Sequence, residues 1–197
     1  MKQFKEISPF RRNWVPEGHH LLGFLVYSDG GKIGLGTAIY ALSSKNDDAV
    51  EKALCIANGR LSKRNIVAHE VLAGLLGAED LYRLLQPLLF DHSDTALELY
   101  FKCDSLCSMA MLNPQVALKN TLLDNATNGF IEELKKISLE FPKSMIKIGY
   151  TESLKNPADF MTKLFCDPCK IINSQLYRVG DPKMKTTNDL DLSLIHI

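Results

Sequence analysis

The chain has 197 residues, 46% hydrophobic and 23% charged, enough for one ordinary globular domain with a real core and tails. Its 23 basic and 23 acidic residues cancel, which excludes a global positive field but leaves room for a local basic groove. No apolar run reaches the ~18 residues of a membrane span. The opening "MKQFKEISPFRRNWVPEG" has no signal-peptide core, and five cysteines suit a reducing compartment better than a disulfide framework.

Residues 1–20, with Pro9, Pro16 and Gly18, read as an irregular lead-in. From Gly23 to Ser28 the run is continuously apolar or aromatic, which predicts a central strand covered on both faces. "GLGTAIYALS" (34–43) and "AVEKALCIANGRL" (49–61) read as two more strands, joined by the polar turn "SSKNDD" into an antiparallel meander. Over residues 66–89 the period becomes helical, with Val71, Leu75, Ala78, Tyr82, Leu85 and Leu89 on one face. "ALELYFKCD" (96–104) alternates like a strand, Leu97, Leu99, Phe101 and Cys103 sharing a phase. Residues 115–141 read as helical with an interruption near Asn128–Gly129, "SMIKIGY" (144–150) as a strand and "NPADFMTKLF" (156–165) as a short helix. The order β-β-β-α-β-α-β-α predicts an α/β fold, a mixed sheet with helices packed on it. The end, "DPKMKTTNDLDLSLIHI", shows no element; its "LSLIHI" reads either as translated sequencing adapter or as a natural frayed tail.

The stretch "SDGGKIGLGTAIYAL" contains Gly30, Gly31, Gly34 and Gly36, but neither G-x-G-x-x-G nor G-K-[ST] order. A phosphate loop must also feed a helix N-terminus, and these glycines feed a strand, so a tight hairpin turn is the better reading. The acids are more informative. Asp29 and Asp104 end two strands, Glu70 falls in the first turn of the long helix, and Asp159 in the first turn of the last. Each has a structural role open to it: a turn former before glycines, a helix-terminus charge, or a capping arrangement with Asn156 and Pro157. Four acids at the ends of four elements can also converge at one sheet edge. Clustered carboxylates repel unless cations hold them, and Mg²⁺ suits a carboxylate site that also receives phosphate.

The order "VYSDGG", "IVAHEVLAGLLGAEDL", "LYFKCDS", "NPADFMTK" resembles the ribonuclease H domain of retroelement polyproteins, most of all the Bel-Pao type of long-terminal-repeat retrotransposon. The resemblance runs from about Leu21 to Lys163 and continues weakly through "IINSQLYRVGDP" (171–182). It implies three segments: residues 1–20 as a lead-in from the reverse-transcriptase connection, 21–165 as a ribonuclease H-like domain, and 166–197 as a linker toward integrase, disordered or artefactual at its end. The implied fold is a mixed five-stranded sheet, three antiparallel strands followed by two parallel ones, with helices on its faces.

The resemblance also implies an activity, metal-dependent hydrolysis of the RNA strand of RNA/DNA hybrids during reverse transcription. Carried over by position, Asp29, Glu70, Asp104 and Asp159 would be catalytic and hold two Mg²⁺ ions, with Mn²⁺ an alternative. Arg60, Lys63, Arg64 and Asn65 would contact the hybrid backbone, or form a solvated loop. Implied partners are the hybrid and the reverse-transcriptase and integrase portions of the same polyprotein, in a cytoplasmic virus-like particle or the nucleus. A catalytically inactive tether between polymerase and integrase is the alternative. Two departures stand out: Asp29-Gly30-Gly31 replaces D-A-S or D-G-S, and "GYTESLKN" lacks a histidine before the last helix, offering Glu152 and Lys155 instead. Cys166 and Cys169 have metal-like spacing without a second pair, so unlinked thiols are preferred to a zinc site. His19–His20 read as lead-in, and Trp14 as a stacking residue or a packing anchor.

Overall fold

A computed structural model describes residues 14–46, 49–62, 66–88, 96–106 and 121–162. The expected meander is present as β1 (His20–Gly30), β2 (Gly34–Ser44) and β3 (Glu51–Leu61). After it come α1 (Ile66–Leu85), β4 (Glu98–Cys103), α2 (Thr121–Glu140), β5 (Met145–Tyr150) and α3 (Asp159–Thr162). The strands form one sheet in the order β3-β2-β1-β4-β5. β1 pairs antiparallel with β2 and β2 with β3, while β1–β4 and β4–β5 are parallel. This is the mixed five-stranded sheet expected from the sequence.

β1 lies at the centre, and its continuous apolar run serves two cores. Phe24 and Val26 face α1 and α2, among Ile39, Leu99, Phe101, Ala78, Leu81, Phe130 and Leu134. Leu25 and Tyr27 face the other way, with Tyr40, Leu42, Tyr100 and, from α3, Met161. The same holds for β4, where both phases of the alternation are buried. Trp14 packs against the first core, as a packing anchor would. His20 opens β1, and His19 Nδ1 lies 3.9 Å from Glu51.

Among the helices, the structure differs from the sequence reading in three places. The α1 helix stops at Leu85 and tightens into a 3₁₀ turn, Gln86–Leu88, because Pro87 has no N–H to continue the ladder. Leu89 lies outside the described residues. The interruption expected at Asn128–Gly129 is absent: α2 runs unbroken from Thr121 to Glu140. Gly129 sits where α2 crosses α1, and a Cβ there would stand 3.3 Å from Leu75. Close packing therefore offsets the ~1 kcal/mol that glycine costs a helix. The last helix begins at Asp159, after the 3₁₀ turn Ser153–Lys155. Residues 115–120 and 163–165 of the expected helices lie outside the described residues. No described helix is long and apolar enough to cross a membrane.

Candidate metal centre

Parallel pairing of β1 and β4 places Ser28 opposite Cys103, so the next residues, Asp29 and Asp104, emerge side by side. β1 continues beyond Ser28 to Gly30, which makes Asp29 a strand residue paired with Gly36. Glu70 arrives from α1. Because that helix starts at Ile66, Glu70 is in the second turn; no acid occupies the first. A favourable interaction with the helix N-terminus is thus not its role. Ligand oxygens of Asp29, Glu70 and Asp104 lie within 4.8 Å of one another. Asp29 is buried and the other two are half-buried.

Backbone contacts at the β1–β2 turn hold this arrangement. Gly30 N–H donates to Glu70 Oε2 at 3.2 Å. A Cβ at Gly30 would stand 2.3 Å from the Glu70 nitrogen and 2.6 Å from the His69 carbonyl carbon, so only glycine lets β1 approach α1 this closely. The fully buried His69 places Nδ1 2.6 Å from the Gly31 carbonyl oxygen, joining the turn to the helix from the other side. Farther along α1, the buried Asp80 accepts from Asn58 Nδ2 at 2.9 Å and from Thr37 Oγ1 at 3.4 Å. That network fixes the helix over β2 and β3.

Asp159 is brought to the same edge by a separate device. Asn156 is buried; its Nδ2 donates to the Ser28 carbonyl at 2.9 Å and its Oδ1 accepts from Ala158 N–H at 3.1 Å. The capping role open to Asn156 is thus accompanied by a tie to β1. Asp159 falls in the first turn of α3, as expected. It lies outside the three-carboxylate group, yet its charge is felt at Asp29.

Burial and mutual repulsion dominate the electrostatics. Burial, then the Asp104 charge, pushes Asp29 up from 3.8 to about 7; a hydrogen bond from Thr162 opposes the rise and Asp159 adds to it. Burial, then the charges of Asp29 and Asp104, pushes Glu70 up to about 8, against the pull of the Gly30 N–H. The neighbouring Cys103 thiol is pushed up to about 11, chiefly by burial, which makes it inert rather than a thiolate ligand. Asp104 Oδ1 is buried without a hydrogen-bond partner. Crowded oxygens, one of them orphaned, and no available thiolate among the described residues fit a hard divalent cation such as Mg²⁺.

Arg60 is exposed at the end of β3, beside the first turn, where Ser62 N–H donates to the Ile33 carbonyl at 2.9 Å. Lys63, Arg64 and Asn65 lie outside the described residues, as do Cys166 and Cys169. Sequence reasoning missed His69 and Asp80, whose partners are distant in the chain. A histidine directly before a candidate acid was the only signal available for the first.

No protein-family profile matches the sequence, and no curated protein matches it. Solved structures do resemble it. One is the N-terminal RNase H domain of Rv2228c from Mycobacterium tuberculosis, solved as a fusion with maltose binding protein. It is 13% identical over 78% of this chain and 99% of that chain, with a TM-score of 0.53. RNase H1 from Halobacterium salinarum is 13% identical over 72% of this chain and 94% of its own, at 0.47. LC11-RNase H1 from compost, in complex with an RNA/DNA hybrid, is 16% identical over 70% and 92%, at 0.48. At such identities the likeness is one of fold: the chain has a ribonuclease H-like fold, with an acidic cluster at one end of its central strands.

Proposed function

We propose that the chain is a metal-dependent endonuclease that hydrolyses the RNA strand of RNA/DNA hybrids. The observation that carries this reading is the convergence of Asp29, Glu70 and Asp104 from three elements onto one small volume. A fold shared with integrases and other nucleases would not suffice alone. Asp29, Glu70 and Asp104 would hold Mg²⁺ or Mn²⁺, with Asp159 completing the set from α3. Bound there, the metal would stabilise the developing phosphorane charge and lower the pKa of an attacking water.

The remaining work falls to the chain itself. Gly30 N–H holds the Glu70 carboxylate toward Asp29, and Asp80 and His69 keep α1 in place for it. Arg60, with Lys63 and Arg64 after it, would neutralise backbone phosphates of the hybrid, and Asn65 would hydrogen-bond to them. Hydrolysis adds water across a P–O3′ bond of the RNA strand, leaving a 5′-phosphate and a 3′-hydroxyl. Preference for RNA requires a contact to the 2′-OH, which the first turn and α1 would make. The order of acid-bearing segments supports a retroelement polyprotein of Bel-Pao type as the source. Reverse-transcriptase and integrase portions would then be partners, within a cytoplasmic particle or the nucleus.

The test is cleavage of a labelled RNA/DNA hybrid by the full chain with Mg²⁺, beside Asp29→Asn and Asp104→Asn. Cutting by the wild type alone is the expected result. Hybrid binding without cutting would overturn the nuclease and favour a structural tether; cutting by both variants would overturn the site.

A further inference from the structure

Among the described residues, seven large apolar side chains are exposed, and five of them gather at the end of the sheet that carries the acids. Ile33 (42% exposed) is in the β1–β2 turn, and Leu61 (59%) ends β3 opposite Gly34. Leu106 follows Asp104 by two residues, Tyr150 ends β5, and Leu154 (91%) is the middle residue of the 3₁₀ turn after it. Only Leu139, near the end of α2, and Met145, at the start of β5, lie away from that end. Backbone contacts fix these positions. Ser62 N–H donates to the Ile33 carbonyl at 2.9 Å, which ties the first turn to the end of β3. Thr151 N–H donates to the Cys103 carbonyl at 2.9 Å and Asn156 Nδ2 to the Ser28 carbonyl, so the turn bearing Leu154 is anchored to the ends of β4 and β1.

Three of the five have an exposed cation as chain neighbour: Lys32 beside Ile33, Arg60 beside Leu61 and Lys155 beside Leu154. Lys155 pairs with Glu152 at 2.9 Å, but the two side chains are 70% and 63% exposed, so the pair is weak and its cation exchangeable. The same two-residue pattern thus recurs on three segments around one acidic centre. Exposed apolar side chains gathered in one place mark a contact surface, and the interleaved cations define the partner. It must present apolar edges and anions in alternation, as the sugars and phosphates of a nucleic-acid backbone do. Three strand spacings, about 14 Å, separate β3 from β4, so the outer pairs can reach phosphates on both sides of a minor groove. In B-form DNA that groove is ~6 Å wide and ~7.5 Å deep, too narrow for several branched side chains to lie on its sugars. In an A-form-like duplex it is wide and shallow and displays them.

We propose that Ile33, Leu61 and Leu154 are specificity-determining contacts that rest on the sugars of an A-form-like minor groove, while Lys32, Arg60 and Lys155 hold the flanking phosphates. The inference rests on the hybrid-cleaving reading of the metal centre, and binding tests it without requiring cleavage. The probes are a labelled RNA/DNA hybrid and a DNA duplex of the same sequence. Their affinities for the full chain are followed by fluorescence anisotropy over a range of salt, with Ca²⁺ in place of Mg²⁺ and the hybrid checked on a gel. All the substituted positions are exposed, so the fold should be unaffected. Ile33→Ser, Leu61→Ser and Leu154→Ser should each weaken hybrid binding ~5–10-fold, the effect of covering about half of such a side chain. They should leave the salt dependence unchanged and DNA-duplex affinity within ~2-fold of wild type. Lys32→Gln and Lys155→Gln should weaken both duplexes alike and lower the slope of log affinity against log salt by about 1 each.

Serine variants that bind as wild type does, or that lose both duplexes equally, would overturn the specificity role. Glutamine variants with an unchanged salt slope would overturn the phosphate contacts. Wild type that shows the expected pattern but never cuts hybrid with Mg²⁺ would overturn the nuclease reading and leave this surface standing. Wild type that cuts hybrid yet binds it no better than the DNA duplex would do the reverse.

Discussion

Asp29→Asn should make the metal-free protein more stable while abolishing the proposed hybrid cleavage, and the gain should depend on pH. In the unfolded chain Asp29 titrates at its ordinary 3.8; in the folded chain at about 7. Between those values the folded state binds more protons than the unfolded one. Stability therefore falls as pH rises through the window, and the loss is complete above about 7. At ~1.36 kcal/mol per pH unit, the loss still to come between pH 5 and pH 8.5 is about 3 kcal/mol. Asparagine has the same shape and never ionises, so it escapes this loss. Its stability advantage over wild type should grow by about 3 kcal/mol from pH 5 to pH 8.5, or ~6–12 °C in melting temperature for a domain of this size. Comparing two pH values cancels any constant difference between a carboxamide and a carboxylic acid. Urea denaturation in EDTA at both values measures the difference directly. Adding Mg²⁺ at pH 8.5 should then reverse the order, because only wild type gains the full linkage stabilisation of a bound ion. An advantage of equal size at both pH values, or a variant less stable than wild type at pH 8.5, would refute the argument from buried, repelling carboxylates.

Three further substitutions test how the site is held. Gly30→Ala should destabilise by about 3 kcal/mol, since the new methyl meets backbone of His69 and Glu70 at 2.6 Å and 2.3 Å; a loss below ~0.5 kcal/mol in urea would show that α1 does not need that approach. Gly74→Ala should stabilise by up to ~1 kcal/mol from helix propensity, because its methyl would meet only the Phe130 ring at 3.7–3.8 Å, an ordinary contact; a lower melting temperature would contradict the α1–α2 packing. Asp80→Ala should cost about 2 kcal/mol by leaving the buried Thr37 hydroxyl and the Asn58 amide without their acceptor. Equal stability of that variant by urea denaturation would mean the network contributes nothing.

Strand and helix order were legible because burial writes itself into local period. The Gly23–Ser28 run is continuous because β1 has a core on each side. The α1 face reads at spacings of three and four because it lies on one side of the sheet. What local pattern could not show was the purpose of a residue whose partner is far along the chain. Gly129 reads locally as a helix breaker, and only the crossing with Leu75 makes it a helix-packing residue. Asn156 reads as a cap, while its bond to Ser28 spans 128 positions. Glu70 shows a smaller error of the same kind: its helix begins early enough to move it from the first turn to the second.

The glycines are the sharpest case, and they connect the fold to the chemistry. A hairpin alone would explain a glycine or two at 30–34, yet the close approaches here involve two different helices. Gly30 admits the backbone of α1, and Gly31 and Gly36 admit α3. Those elements carry Glu70 and Asp159, and the strand leading into the turn carries Asp29. Bringing acids together is unfavourable, as the raised Asp29 and Glu70 show, so contacts elsewhere must hold them there. The bare glycine at 30 lets the backbone come close enough for Gly30 N–H to donate to Glu70 and offset part of that repulsion. The turn thus works as the joint between three acid-bearing elements, and a substitution there should alter metal affinity before it alters the sheet.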